Sequence, residues 1–71
     1  MKTSINFATI MCTSGTNVYK FPDRASEVIR VLKNLTEVVI DKKYSTDEFF
    51  KVYLTDGKEG FCEKSMVNPI R

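Results

Sequence analysis

Histidine is absent from this chain, cysteine occurs twice, and no apolar run approaches the length of a membrane span. A structural zinc site usually takes four cysteine or histidine ligands, so the sequence cannot supply one. Without histidine the chain lacks the commonest general base, and it has no glycine-rich loop of the kind that holds phosphate. A helix needs about 20 apolar residues to cross a bilayer, which excludes a helical span. The sequence therefore predicts no metal, no cofactor and no catalysed reaction.

The small size of the chain limits the kind of site that it can hold. Its 71 residues suffice for one domain, predicted over residues 1–71. A domain of this size buries only about 60% of its unfolded surface, so function is expected in a shallow groove and not in a deep cavity. The formal net charge is +2, and no basic stripe runs along the chain. Nucleic acid is therefore not an expected partner.

The two cysteines, Cys12 and Cys62, allow two interpretations. The first and last strands of a small barrel can be neighbours, so a disulfide is conceivable. We favour two free thiols that act as small apolar side chains, and we predict that folding does not depend on a bond between them. Residues 1–9 do not resemble a signal peptide. Two locations therefore stay open. The chain is cytoplasmic, or it is a cell-wall domain that has been excised from a larger protein or is delivered by a phage.

Short apolar segments separated by turn signals run along most of the chain. Their β-branched and aromatic residues predict strands near residues 7–12, 17–19, 28–32, 37–41, 49–55 and 58–62, with a helical turn or strand at 65–67. Asp56-Gly57 predicts a two-residue hairpin turn with positive φ at both positions. No segment has a helical period, so we expect an all-β antiparallel barrel of five to seven short strands. Its predicted core consists of Val18, Leu32, Val38, Ile40, Phe50, Val52, Leu54 and Cys62.

Three sequence motifs occur one after another along the chain. Thr16-Asn17-Val18-Tyr19 is followed by Pro22, residues 26–38 read SEVIRVLKNLTEV, and residues 49–62 read FFKVYLTDGKEGFC. Together they resemble the bacterial SH3 domain, SH3b, over about residues 8–67. In that family the first segment reads Leu-Asn-Val-Arg followed by Gly-Pro. The second reads Val-Ile-x-x-Leu, then a glycine-centred turn and Thr-x-Val. The third has an aromatic pair, Lys-Val, an Asp/Asn-Gly hairpin and Gly-Trp-Val. The resemblance implies a small SH3-like barrel.

The resemblance also implies a non-catalytic binding module. Many members of the family attach lytic enzymes to peptidoglycan through its peptides, so cell-wall binding is the expected function. A stand-alone intracellular protein-interaction or regulatory module is the alternative. Four residues depart from the family pattern: Tyr19 replaces arginine, Phe21 and Leu35 replace glycine, and Phe61 replaces tryptophan. Leu35 changes a turn, whereas the three aromatic residues reshape the expected recognition face.

The alternation of side chains along a strand separates the core from the candidate site. Phe50, Val52 and Leu54 form an uninterrupted apolar row and are the better core set, which leaves Phe49 and Tyr53 at or near the surface. Exposed aromatic clusters usually mark interaction sites. The sequence therefore predicts a shallow aromatic groove for an extended peptide of cell-wall or protein origin.

The candidate groove draws on three parts of the chain. Its predicted aromatic residues are Tyr19, Phe21, Phe49, Tyr53 and Phe61. For Phe49 and Phe61 the alternative is that they form the rim of the core. The acidic pair Asp47 and Glu48 lies in the adjacent loop, where it would bind a peptide amino group or simply face solvent.

Overall fold

Seven short strands make up most of the computed structural model, which describes residues 5–69. The strands are β1 (Ile5–Ile10), β2 (Thr16–Tyr19), β3 (Val28–Leu32), β4 (Glu37–Asp41), β5 (Phe49–Tyr53), β6 (Glu59–Glu63) and β7 (Val67–Pro69). Two single turns of 3₁₀ helix, Lys42–Tyr44 and Lys64–Met66, follow β4 and β6. The all-β fold class predicted from the sequence is confirmed.

All seven strands belong to one antiparallel sheet in the order β3-β2-β6-β5-β4-β1-β7. Strand β1 lies between β4 and β7, so the first and last strands described are direct neighbours. Each strand contributes at least one side chain to a single apolar cluster, which means that the sheet curls around one core. The cluster consists of Ala8, Ile10, Val18, Leu32, Val38, Ile40, Val52, Leu54, Cys62 and Val67.

Phe50 is the one predicted core residue outside the buried cluster; it is half-buried and packs against that cluster. The sequence prediction also omitted Ala8, Ile10 and Val67. Ala8 and Ile10 alternate with the exposed Phe7 along β1, and both have no exposed surface. Their burial follows from the pairing of β1 with β4 and β7, which joins segments distant in sequence.

The turn between β5 and β6 differs from the predicted two-residue turn. The connection runs over residues 54–58, and the Gly57 N–H donates to the Leu54 carbonyl oxygen at 3.0 Å. Only Gly57 has a positive φ, of 91°, whereas Asp56 does not. This is the longer hairpin loop in which a glycine in the left-handed region follows the turn. The Asp56 side chain instead accepts the Lys58 N–H at 3.0 Å and closes the loop locally.

The turn between β3 and β4 places a leucine in the left-handed region. The Thr36 N–H donates to the Lys33 carbonyl oxygen at 3.1 Å, and Leu35 has a φ of 69°. Turns of this form favour glycine or asparagine at that position, because a Cβ there costs about 1–2 kcal/mol. The Leu35 N–H also donates to the Ile10 carbonyl oxygen at 2.7 Å, so the turn is tied to the end of β1.

Both cysteines are free thiols in very different surroundings. Cys62 lies in the core, where burial, together with the neighbouring charge of Glu63, raises the pKa of its thiol to about 12. Cys12 is half-exposed, and its thiol lies 3.3 Å from the Ser14 hydroxyl. That hydrogen bond lowers the pKa of Cys12.

Candidate functional site

Tyr19 and Phe49 form a buried aromatic pair at the junction of β2, β5 and β6. Their ring centroids are 6.0 Å apart at an interplanar angle of 85°, and the residues are only 7% and 4% exposed. The expectation that Phe49 lies near the surface is therefore wrong. The guanidinium of Arg24 lies 5.6 Å from the Phe49 ring, and the Tyr19 hydroxyl accepts a hydrogen bond from Asn17 at 3.3 Å.

Arg24 connects two loops that flank this buried pair. It donates to Glu63 on β6 at 2.9 Å and to Glu48 in the loop before β5 at 3.3 Å. Glu48 is thereby engaged within the domain, whereas the neighbouring Asp47 is exposed. Sequence reasoning missed Arg24, because nothing in its local sequence indicates a partner 39 positions away.

Tyr53 and Phe61 lie on the same outer face and remain half-exposed. Lys51 lies between them, with its ammonium 4.9 Å from the Phe61 ring centroid and 5.9 Å from that of Tyr53. The same ammonium pairs with Glu59 at 2.7 Å. These four residues form a continuous aromatic and charged surface on β5 and β6, because Phe61 pairs with Lys51 and Glu59 with Tyr53 in the strand register. We call them the β5–β6 strip.

The hydroxyl of Tyr53 donates to the Asp41 carboxylate at 3.2 Å. Desolvation and this contact with Asp41 raise the pKa of Tyr53. The hydrogen bond to Asp41 fixes the orientation of the Tyr53 ring.

Phe21 stands apart from the other predicted rings. It is 58% exposed, and among residues 5–69 it has no ring-to-ring contact; the Lys20 ammonium lies 5.6 Å from its centroid. The loop that carries it is ordered by short-range bonds, in which the Phe21 N–H donates to the Ser26 hydroxyl at 2.9 Å and the Lys20 N–H to the Glu27 carbonyl at 2.9 Å. The loop over residues 20–27 thus presents Phe21 to solvent on a fixed backbone.

An open groove of about 360 Å³ runs between this loop and the β5–β6 hairpin. It is lined by Lys20, Glu27, Ile29, Gly57, Lys58 and Glu59. Lys20 connects the groove to Phe21, and Glu59 connects it to the β5–β6 strip. The groove therefore lies between Phe21 and the β5–β6 strip, and its lining carries positively and negatively charged side chains. Sequence reasoning missed its lining residues, since they come from three segments and include no aromatic side chain.

A second, smaller groove of about 100 Å³ lies on the outer face of β1, β4 and β5. It is lined mainly by apolar groups: Phe7, Val38, Val39, Tyr53 and Leu54, with Glu37 and Thr55 at its edge. Tyr53 is the only residue of the predicted site among them.

The family of the chain follows from its sequence pattern and agrees with this architecture. A family model of the bacterial SH3 domain matches residues 14–68. The chain belongs to this family. No curated protein matches the chain. The matched region of this bacterial SH3 domain contains β2 to β6, the groove and the β5–β6 strip, whereas β1 precedes it. Membership in the family identifies the domain as a binding module.

The described part of the chain contains no group of three or more cysteine, histidine or acidic residues arranged to hold a metal ion. Within residues 5–69 there is also no helix that is long and apolar enough to cross a membrane. The functional proposal rests on the groove and the β5–β6 strip.

Proposed function

We propose that this bacterial SH3 domain is a non-catalytic module that binds a peptide of the bacterial cell wall in the groove between the 20–27 loop and the β5–β6 hairpin. The observation that supports it is the groove itself, whose lining contains two lysines and two glutamates together with Ile29. Wall peptides carry both amino and carboxylate groups, so a surface with both charges suits them. The open shape suits an extended ligand more than a compact one.

The aromatic residues have different parts in this proposal. Phe21 offers an exposed ring on a fixed loop at one end, and Phe61 and Tyr53 offer half-exposed rings beyond Glu59 at the other. Such rings supply contact area at a small cost in conformational entropy. Tyr19 and Phe49 are buried, so neither ring is accessible to a ligand. Asp47 lies outside this groove, and Glu48 acts indirectly by holding Arg24.

Co-sedimentation of the purified chain with purified cell walls tests the proposal, with the variant Phe21→Ala. The ring is exposed, so the fold should survive while binding weakens by about 1–2 kcal/mol, or roughly 5- to 30-fold. Tyr44→Ala is the matched control. Tyr44 is also 58% exposed, with the Lys43 ammonium 5.7 Å from its ring. We expect that variant to bind like the unaltered chain.

A second variant tests the groove without changing an aromatic residue. Ile29→Lys adds a long charged side chain to the groove lining and should abolish binding. Ile29 also packs against the core cluster, so the fold of this variant is checked by circular dichroism and thermal denaturation. Retained wall binding by a folded Ile29→Lys chain would place the site elsewhere. Absence of wall binding by the unaltered chain would favour the alternative, an intracellular protein-interaction module with the same groove.

A further inference from the structure

The turn between β3 and β4 combines two unfavourable features at one residue. Leu35 holds a positive φ of 69°, and its side chain is 64% exposed. A glycine would adopt this backbone without strain and would leave no apolar side chain in water. The Leu35 side chain contributes nothing to the core cluster. Strain that persists without a packing benefit points to a contact outside the domain.

Hydrogen bonds to residues 10 and 12 fix the backbone of the turn between β3 and β4. The Ile10 N–H donates to the Thr36 carbonyl at 2.9 Å, and the Leu35 N–H returns a bond to Ile10 at 2.7 Å. The Asn34 side chain accepts the Cys12 N–H at 3.0 Å. Met11, between the two anchored residues of this segment, is 52% exposed. Leu35 therefore projects from a backbone that is bonded to the segment carrying Met11, a second exposed apolar residue.

Two opposite charges flank Leu35 at equal spacing in the sequence. Lys33 and Glu37 are both exposed, and neither forms a salt bridge with any of the residues from 5 to 69. A twofold rotation about Leu35 exchanges the positions before and after it in the turn, so that Lys33 of one copy can face Glu37 of the other. A symmetric dimer requires this property, since the same patch must fit its own copy.

We propose that Leu35 is the centre of an interface between two copies of this chain, related by a twofold axis. The two Leu35 side chains meet at the axis next to Met11. Lys33 of each copy faces Glu37 of the other. The patch is small, so the association is weak. The interface is separate from the peptide groove and does not depend on the function proposed for it.

Sedimentation equilibrium of the full chain from about 10 µM to about 1 mM tests the interface. The unaltered chain should shift from monomer towards dimer over this range. Leu35→Gly should weaken dimerisation at least about tenfold. The same variant should keep or raise the thermal midpoint of the monomer, because glycine relieves the positive φ. A Leu35→Gly chain that is less stable as a monomer, or that dimerises as well as the unaltered chain, would overturn the proposal.

A charge exchange separates this interface from non-specific apolar association. Lys33→Glu and Glu37→Lys should each weaken dimerisation, because each places like charges opposite one another across the axis. The double variant should restore it. Val28→Ala is the control, since Val28 is 42% exposed but lies at the other end of β3 from the turn. A chain that stays monomeric at the highest concentration, or a double variant without recovery, would show that copies do not meet at this turn.

Discussion

At the scale of single residues, Gly60 shows how closely the backbones approach in this barrel. A Cβ at this position would lie 2.6 Å from the Tyr19 carbonyl oxygen and 2.6 Å from a methyl carbon of Val18. The carbonyl is part of the backbone and cannot rotate away. We expect Gly60→Ala to lower the free energy of unfolding by about 1–3 kcal/mol, measured by urea denaturation.

Gly57 provides the comparison for this prediction. Its φ is 91°, but a Cβ there would meet no atom within 4 Å. Asparagine tolerates the left-handed region, so Gly57→Asn should cost little. Gly60→Asn should cost more than Gly60→Ala, because a larger side chain worsens the collision. Equal losses for the two asparagine variants would contradict this account.

The alternation of side chains along β5 predicted only in part which of them are buried and which are accessible. Val52 is buried and Tyr53 remains accessible, as the alternation indicates. Phe49 is buried although it shares a face with Tyr53, because Tyr19 packs against its edge and Arg24 lies over its ring. Both contacts come from residues at least 25 positions away, so a local pattern cannot predict them.

At the scale of elements, Arg24 holds the 20–27 loop to the rest of the domain. The bridge to Glu48 is exposed on both sides, whereas Glu63 is only 19% exposed; since the Arg24 side chain itself is 58% exposed, each pair contributes about 1 kcal/mol or less. We therefore expect Arg24→Gln to change global stability little. Hydrogen exchange of the amides in residues 20–27 should become faster, because the loop loses its attachment to Glu63 and Glu48.

Arg30→Gln is the matched control for this measurement. Arg30 also forms an exposed salt bridge, at 2.6 Å to Asp56 in the β5–β6 hairpin. Its loss should leave exchange in residues 20–27 unchanged. Equal acceleration of that loop in both variants would mean that Arg24 has no specific role there.

The elements themselves were largely predictable. Residues 28–32 and 37–41 were predicted as strands and are strands with these bounds, since β-branched residues between turn signals are a strong local indication. The groove between the 20–27 loop and the hairpin was not predictable, because the sheet order that brings β2 beside β6 depends on long-range pairing.

For the whole molecule, stability should decline in alkaline solution through Cys62. The pKa of this thiol is raised from 9.0 to about 12 in the folded protein. Above pH 9 the unfolded chain releases this proton and the folded chain does not, so unfolding becomes more favourable. The stability that comes from the bound proton of Cys62 is fully present below pH 9, and it is lost as the pH rises from 9 to about 12.

Denaturation curves at several pH values check this prediction. Cys62→Ala should be less stable at neutral pH, because it leaves a small cavity, but its stability should decline less steeply above pH 9. Cys12→Ala should retain the steep decline, since Cys12 is partly exposed and its pKa is lowered. An unchanged slope in Cys62→Ala would assign the alkaline decline to other groups, such as Tyr53, whose pKa is also raised.

The position of β1 between β4 and β7 has a consequence for the order of folding. The β5–β6 hairpin closes a loop of a few residues, whereas the pairing of Ile10 with Val67 closes one that includes most of the chain. Closing a long loop costs more entropy before any contact repays it. The hairpin should therefore form early and the β1–β7 pair late, and the barrel should fold on the slow timescale of proteins with many non-local contacts, about milliseconds to seconds.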